Sequence, residues 1–270
     1  MRQNLRRWLF CAGAVAAAGA LAAGQGVAVA APAHTSAPSA TAAAYVPPSK
    51  ALYFGEKGAA VKSVQRRLSE LHYYLGSIDG SYGQDTLEAA WAFREVQGLP
   101  MNEATGAEPI NRAFERALVH PLKPYVLIKH GPATRVEVNL KHQVLVLYKD
   151  NKVELIAHVS SGGDYYFCNP GGGGCGYAIT PDGNFSALSF QSGWVTVPLG
   201  TMYNPVWIDY AAGVAIHGDE PVPWYPVSHG CIRVWLDIAN VFHKMITVGG
   251  KHATPVYVRG IAPYEPSIVG

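Results

Sequence analysis

The segment from Leu52 to about Val119 carries apolar residues at helical spacing. Apolar positions that recur every three or four residues form one face of a helix, and three such sets follow one another here. They are Val61, Val64, Leu68 and Leu71, then Leu87, Trp91 and Phe93, and finally Ile110, Phe114 and Leu118. The pattern predicts three short helices, with glycine-containing turns between them and Asp85 as a cap of the second helix.

Beyond Pro121 and Pro124 the apolar pattern becomes one of short alternating or continuous runs separated by turn residues. Such runs are typical of strands, and they occur at 136–140, 144–147, 155–159 and 254–258. Residues 235–245 return to helical spacing. The predicted fold is therefore multidomain: a small three-helix all-α domain (51–120), a β-rich, mostly β, α+β domain (124–260), and a tail (261–270).

The N-terminus differs in composition from the rest of the chain. Three arginines precede an Ala, Gly, Val and Leu run that closes in Ala28-Val29-Ala30, which predicts a signal peptide over residues 1–30. The alternative is a membrane anchor, because about 20 apolar residues can span a bilayer. Residues 31–50 are rich in Ala, Pro and Ser and predict a linker. We expect export to the cell exterior or wall, with no stable membrane insertion after cleavage.

Overall charge narrows the classes of partner. The 270 residues carry a formal net charge of +2, and 49% of them are hydrophobic. This composition suits about two folded domains with ordinary cores. The balance of charge is too mild to indicate a nucleic-acid partner, and no basic stripe with interleaved aromatic residues is present.

Four cysteines are present, and Cys11 lies in the segment predicted to be removed. In an oxidising compartment the remaining three indicate one disulfide and one free thiol. Cys168 and Cys175 bracket a glycine-rich loop that can turn back on itself, so they are the natural pair. Cys231 is then the free thiol.

The most chemically informative stretch is Ile216-His217-Gly218 followed by Ser228-His229-Gly230-Cys231-Ile232-Arg233. A nucleophilic cysteine needs a partner that withdraws its proton, and the two histidines are candidates. Glycines at 218 and 230 leave backbone N–H groups unshielded, which suits an oxyanion hole near Cys231. A buried structural cysteine is the alternative. Ser228 is a weaker nucleophile than the thiol at neutral pH.

This string resembles the active-site signature of the L,D-transpeptidases, the YkuD-type catalytic domain. Three further motifs in the same order carry the resemblance across about residues 126–259. They are Val138-Asn139-Leu140 with Gln143, then Ser160-Ser161-Gly162, then Thr180-Pro181-Asp182-Gly183. The resemblance implies an acyltransferase that uses a cysteine nucleophile and no cofactor or metal.

The same resemblance implies roles for the residues. Cys231 is the nucleophile, and His217 is the general base, oriented by a backbone carbonyl near Gly218. Peptidoglycan supplies both substrates: a tetrapeptide stem loses its terminal D-alanine to form a thioester, and an amine of a second stem resolves it as a 3-3 cross-link. Carbapenem β-lactams are then expected to acylate Cys231.

The helical segment resembles a small three-helix peptidoglycan-binding domain. Matching positions run through Gly55, Gly58, Val61, Gln65, Leu68, Asp79-Gly80, Tyr82-Gly83, Thr86, Ala90, Phe93, Gln97, Gly98 and Leu99. Nearly all of these residues also serve a core, a cap or a turn, so the motif identifies the fold more firmly than a ligand.

Several roles stay open at this stage. His229 is either a second acid or base or, as we favour, a support of the cysteine turn. Arg233 either holds a substrate carboxylate or forms a structural ion pair. Tyr203 and Trp207 are candidate substrate-binding walls or core residues, and Asp219 is a second candidate for orienting the imidazole.

Other functions use the same residues. A zinc hydrolase could use His217, His229 and Cys231, although the spacing fits no wall-cleaving zinc enzyme. Water or a D-amino acid as acceptor would make an L,D-carboxypeptidase or an exchange enzyme. A non-catalytic wall-binding protein is the remaining alternative.

Overall fold

The computed structural model describes residues 45–101, 108–170, 172 and 174–263. These residues belong to one compact unit. The predicted signal peptide, most of the linker, Cys11 and the last part of the tail lie outside the described residues. Within the described part of the chain, no helix is long and apolar enough to cross a membrane.

The three predicted helices are confirmed as α1 (Ala59–Glu70), α2 (Gln84–Gln97) and α3 (Arg112–Val119). Asn111 caps the start of α3, and its side chain accepts hydrogen bonds from the N–H groups of Ala113 and Phe114. The prediction that Asp85 caps α2 is wrong. Gly83 holds the cap position, and the Asp85 carboxylate instead accepts a hydrogen bond from the indole N–H of Trp235 at 3.1 Å.

The rest of the described chain is mostly β structure, as predicted. One sheet has the order β3-β2-β1-β12-β6, and a second has the order β11-β10-β9-β7, with β8 paired to β9. A separate hairpin consists of β4 and β5. The strands are β1 (Arg135–Asn139), β2 (Val144–Lys149), β3 (Lys152–His158), β4 (Tyr166–Cys168), β5 (Cys175–Tyr177), β6 (Gly183–Ser186), β7 (Ser189–Phe190), β8 (Trp194–Val197), β9 (Gly200–Asp209), β10 (Val214–Gly218), β11 (Ile232–Val234) and β12 (Pro255–Arg259).

Helix α4 (Leu236–Met245) follows β11 and packs on the second sheet through Ile238, Ala239 and Phe242. Between the sheets lies a core in which Leu145 and Leu147 of β2 take part. The alternate β2 residues Val144 and Val146 face a second cluster, which contains the buried side chains of the three N-terminal helices. The first sheet is therefore covered on both faces, because side chains alternate along a strand.

Strand β3 lies at the edge of the first sheet, where unpaired backbone groups invite aggregation. The helical domain closes part of this edge, since the N–H of Ile156 donates to the carbonyl of His72 at 2.9 Å. Ile156 also buries its side chain in the cluster formed with the helices. Strand and helices thus share backbone and side-chain contacts.

We expect Ile156→Ala to destabilise the described unit as a whole. The substitution removes a side chain that is 2% exposed, and such truncations cost about 2 to 5 kcal/mol. Thermal unfolding followed by calorimetry should show one transition that moves to lower temperature. Lys152→Ala, at the exposed start of the same strand, serves as the control and should change stability by less than about 0.5 kcal/mol. Two transitions, with only one of them shifted, would contradict a shared core.

Candidate active site

The motif residues come together at two parallel neighbouring strands. Strand β10 carries His217, and Cys231 directly precedes β11, whose Ile232 pairs with Ile216. Both side chains line one cleft of about 700 Å³. Its walls also include Ser228, His229, Gly230, Arg233, Trp207, the tip of the β8–β9 hairpin and part of the β4–β5 hairpin.

The imidazole of His217 is buried and anchored by the backbone. Its Nδ1 lies 2.9 Å from the carbonyl oxygen of Gly218. A carbonyl can only accept, so Nδ1 carries the hydrogen and Nε2 is left as the basic nitrogen. Burial lowers the pKa of His217 to about 4, against the opposing effects of the Gly218 carbonyl and of Asp219. The ring is therefore neutral near pH 7 and able to accept a proton.

The thiol of Cys231 is the free cysteine among the described residues. Its Sγ lies 3.6 Å from the carbonyl oxygen of Gly213. Burial raises the pKa of Cys231, while a backbone hydrogen bond from Ala215 and the positive charge of Arg233 act in the opposite direction. In the resting site both groups are thus predicted to be uncharged, a thiol and a neutral imidazole that line the same cleft, rather than a thiolate–imidazolium pair.

Ser228 shapes the turn that presents the cysteine. Its hydroxyl accepts from the N–H of Gly230 at 3.1 Å and donates to the carbonyl of Cys231 at 2.5 Å. The N–H of Gly230, which we expected to be free for an oxyanion, is therefore engaged. Gly230 has a φ of 134°, and a Cβ there would lie 3.0 Å from the Ile179 carbonyl oxygen, so the turn requires glycine.

The β4–β5 hairpin borders the cleft beside His229. The predicted disulfide between Cys168 and Cys175 is confirmed and joins its two strands. The ring of His229 packs edge-on against Phe167, with centroids 4.7 Å apart, and against Tyr165. Burial, and to a lesser extent Arg233, lower the pKa of His229. This packing agrees with the supporting role that we favour for His229.

Arg233 lines the cleft and also forms an ion pair. Its Nε lies 3.0 Å from Oδ2 of Asp219. No hydrogen bond from the terminal guanidinium nitrogens to a described residue is present. Because the carbonyl of Gly218 holds Nδ1 of His217, Asp219 is not the group that orients the imidazole. Asp219 instead neutralises part of the Arg233 charge through this ion pair, in which the Nε–H of Arg233 is not aligned for a hydrogen bond.

The other predicted residues divide between wall and support. Trp207 lines the cleft, and its indole N–H donates to Gln191 at 2.7 Å. Tyr203 and Gly218 lie outside the cleft lining. A Cβ on Gly218 would lie 2.8 Å from Cβ of Ala239 and 3.1 Å from Cδ1 of Tyr203, so both residues belong to the contact between β10, β9 and α4.

Sequence reasoning missed part of the wall. Tyr177, Ile179, Leu199 and Tyr210 line the cleft without having been singled out. They belong to short hairpins and loops, whose weak alternation gives little signal. Among the described residues, no group of three or more His, Cys, Asp or Glu is arranged to hold a metal ion.

Comparison with known families agrees with this arrangement. Residues 133–258 match the L,D-transpeptidase catalytic domain named YkuD, and residues 57–105 match a peptidoglycan binding domain. The family match and the β-rich fold with this cleft together place the protein in the class of transpeptidase enzymes. The chain carries a YkuD L,D-transpeptidase catalytic domain, preceded by a peptidoglycan-binding domain.

Two solved structures of L,D-transpeptidases are similar to this chain. The L,D-transpeptidase (residues 123–326) from Xylanimonas cellulosilytica DSM 15894 is 28% identical, with a TM-score of 0.68, and the match covers 79% of this chain and all of that chain. The L,D-transpeptidase from Stackebrandtia nassauensis is 18% identical, with a TM-score of 0.44, over 78% of this chain and 96% of that chain. A comparison with curated protein sequences gave no match.

The resting protonation state predicts slow alkylation of Cys231 at neutral pH. Iodoacetamide reacts with the thiolate, so a raised thiol pKa should place the midpoint of the rate above that of an ordinary thiol. The rate at the Cys231 peptide is measured by mass spectrometry across pH 5 to 11. Arg233→Gln should move the midpoint higher, because the guanidinium favours the thiolate. Rapid alkylation at pH 6 would indicate a resting thiolate and contradict the neutral pair.

Proposed function

We propose that this protein is an exported cysteine L,D-transpeptidase that makes 3-3 cross-links between peptidoglycan stems. The observation that supports it most is one cleft that gathers the free thiol of Cys231 and the buried imidazole of His217. The backbone fixes this imidazole so that Nε2 is the proton acceptor. A nucleophile with an oriented base is what acyl transfer requires.

In the first half-reaction, Nε2 of His217 takes the thiol proton as Sγ of Cys231 attacks the carbonyl carbon of the third stem residue. The tetrahedral intermediate collapses when the C–N bond to the terminal D-alanine breaks. The imidazolium of His217 returns its proton to the leaving amine. The products are free D-alanine and a thioester on Cys231.

In the second half-reaction, an amine of another stem attacks the thioester carbonyl. The amine loses a proton to His217, the C–S bond breaks, and the thiolate of Cys231 regains that proton. The new amide joins two third-position residues. Water in place of the amine would give an L,D-carboxypeptidase, and a D-amino acid would give an exchange enzyme, by the same steps.

The neighbouring residues take supporting parts in this proposal. Ser228 and Gly230 hold the turn that presents Cys231, and Gly218 orients His217. His229 forms the side of the cleft next to the disulfide hairpin, where Phe167 packs on its ring. Because the N–H of Gly230 is engaged by Ser228, the N–H groups of His229 and Cys231 are the proposed donors to the tetrahedral oxyanion, and loss of one such donor typically costs about 3 to 4 kcal/mol in barrier.

Substrate binding is assigned to Arg233 and Trp207, which line the cleft, and not to Tyr203, which lies outside the cleft lining. Among the described cleft-lining residues, Arg233 is the one with a permanent charge, and no Asp or Glu lines the cleft. Its Nε side forms the ion pair with Asp219, so its terminal nitrogens can be presented to a carboxylate. The aromatic wall residues suit the apolar parts of a stem.

The peptidoglycan-binding domain supports a location at the cell wall. Export through the N-terminal signal is part of the proposal. β-Lactams, carbapenems above all, are proposed as inhibitors, because the thiol of Cys231 opens into the cleft that would bind the acyl donor.

We expect Cys231→Ala to abolish turnover of a disaccharide tetrapeptide, and His217→Ala to lower kcat by about 10² to 10⁴-fold. Products and protein adducts are followed by mass spectrometry, with circular dichroism as the check on folding. A D-alanine-depleted dimer indicates transpeptidation, whereas tripeptide alone indicates the carboxypeptidase. A folded Cys231→Ala variant with unchanged turnover would rule out the proposed nucleophile, and a wild-type protein with neither adduct nor product would favour the wall-binding alternative.

A carbapenem should add its mass to the peptide that contains Cys231. The loss of turnover should be proportional to the fraction of the protein that is acylated. A chelator such as EDTA should change neither acylation nor turnover, since the proposed mechanism uses no metal. Cys231→Ser provides the matched control and should show no stable adduct. Activity that is lost on chelation and restored by zinc would instead support the zinc-hydrolase alternative.

A further inference from the structure

A buried histidine joins the helical domain to the loop that leads into the catalytic motif. His158 is the last residue of β3 and is 3% exposed. Its Nδ1 lies 2.7 Å from Oε1 of Glu95 on α2, and its Nε2 lies 2.9 Å from the carbonyl oxygen of Pro223. Both ring nitrogens are thus engaged, Nδ1 by the helical domain and Nε2 by the loop that leads into the catalytic motif.

The chain beyond His158 continues along the catalytic segment, defined as residues 228–233. The hydroxyl of Ser160 donates to the carbonyl of Tyr225 at 2.7 Å, and Ser160 and Arg233 exchange two backbone hydrogen bonds of 3.0 Å. The N–H of Ser228 donates to the carbonyl of Ser161 at 2.9 Å. Residues 158–163 therefore form a support segment that holds both the approach loop (223–227) and the catalytic segment.

Each of the two hydrogen bonds of His158 has a defined donor and acceptor. The carbonyl of Pro223 only accepts, so Nε2 of His158 carries a hydrogen. Nδ1 and the Glu95 carboxyl then share a single proton across 2.7 Å. Burial raises the pKa of Glu95 and lowers the pKa of His158, which favours a neutral carboxylic acid that donates to a neutral imidazole. Without a partner at Nδ1, the ring would lose the contact that fixes its orientation.

We propose that Glu95 is a positioning residue for the transpeptidase reaction: through the imidazole of His158 it fixes Pro223 and the approach loop, and so the place of Cys231 in the cleft. This inference rests on the proposed function of Cys231. The peptidoglycan-binding domain would then help to position the nucleophile, whether or not it also contacts the cell wall.

The chain offers a matched control on the same helix. Glu88 is also a buried acid of α2, and its Oε1 accepts from the side chain of Gln84 at 2.8 Å. It lies at the same domain contact but makes no hydrogen bond to the support segment or to the approach loop. Glu88→Leu and Glu95→Leu therefore remove similar buried groups, and only the second removes a hydrogen bond to His158, since Glu88 acts on that imidazole through its charge alone.

The test compares Glu95→Leu, Glu95→Gln and Glu88→Leu in the full chain, with kcat, KM and melting temperature measured for each. Glu95→Leu should lower kcat by about 10- to 100-fold with little change in KM, because a displaced nucleophile slows the chemistry. Glu95→Gln should restore kcat, since an amide N–H can donate to Nδ1. Glu88→Leu should keep kcat within about twofold of wild type even at an equal loss of melting temperature.

A second readout does not need turnover. Hydrogen exchange of the peptide covering residues 223–230 should be at least about fivefold faster in Glu95→Leu and unchanged in Glu88→Leu, because the Ser228 amide loses protection. If the wild-type chain fails to turn over the stem, the proposed function fails and this exchange still decides the positioning role. Should Glu95→Leu not fold, Glu95→Ala is measured in its place.

Equal loss of kcat in the Glu95→Leu and Glu88→Leu variants would overturn the proposal, as would failure of Glu95→Gln to restore it. Unchanged exchange of residues 223–230 in Glu95→Leu would do the same. Each of these results would reduce the contact to ordinary packing between the domains.

Discussion

Strands β2 and β3 bury side chains on both faces of the first sheet, and the position of every other element depends on this double burial. Leu145 and Leu147 face the core between the sheets, while Val144 and Val146 face the helices. Burial of each such side chain contributes about 1.5 to 3 kcal/mol, so neither layer can leave without exposing a row of apolar residues. The helical domain is thus one layer of the fold, and the strand that it covers, β3, leads directly into residues 158–163 beside the catalytic segment.

The electrostatics of the site follow from the same burial. Low solvent access disfavours charge, and it therefore lowers the pKa of His217 and raises that of Cys231. Two backbone hydrogen bonds act in the opposite direction: the one with the Gly218 carbonyl favours a protonated imidazole, and the one from Ala215 favours a thiolate. The two charged neighbours each help one partner and oppose the other, because Asp219 favours the imidazolium but disfavours the thiolate, and Arg233 does the reverse. The fixed backbone groups therefore gain most when a proton has moved from sulfur to nitrogen.

The sequence predicted those helices and strands that show a clear pattern of apolar residues within their own segment. Amphipathic spacing identified α1 to α4, and apolar runs identified β1, β2, β3 and β12. The short strands β4, β5 and β8 escaped notice because their residues are exposed or half-exposed and lie next to glycine- and proline-containing turns, which leaves little periodicity. At the site, the motif placed Cys231 and His217 in one cleft. It could not show that Ser228 engages the Gly230 amide, or that Asp85 meets Trp235 across 150 residues, because such contacts depend on how distant segments pack.

An apolar contact between α2 and the support segment would satisfy burial equally well, so the presence of Glu95 and His158 there calls for a physical reason. A buried hydrogen bond between neutral groups adds only about 0.5 to 1.5 kcal/mol of net stability, because it replaces hydrogen bonds to water in the unfolded chain. A hydrogen-bonded pair differs from packed apolar side chains in being directional: it is satisfied in one arrangement and penalised in neighbouring ones. His158 must meet Glu95 and Pro223 at once, and it therefore restricts the approach loop far more narrowly than apolar contact could. We infer that precision at the catalytic turn, rather than stability of the domain contact, accounts for these two residues.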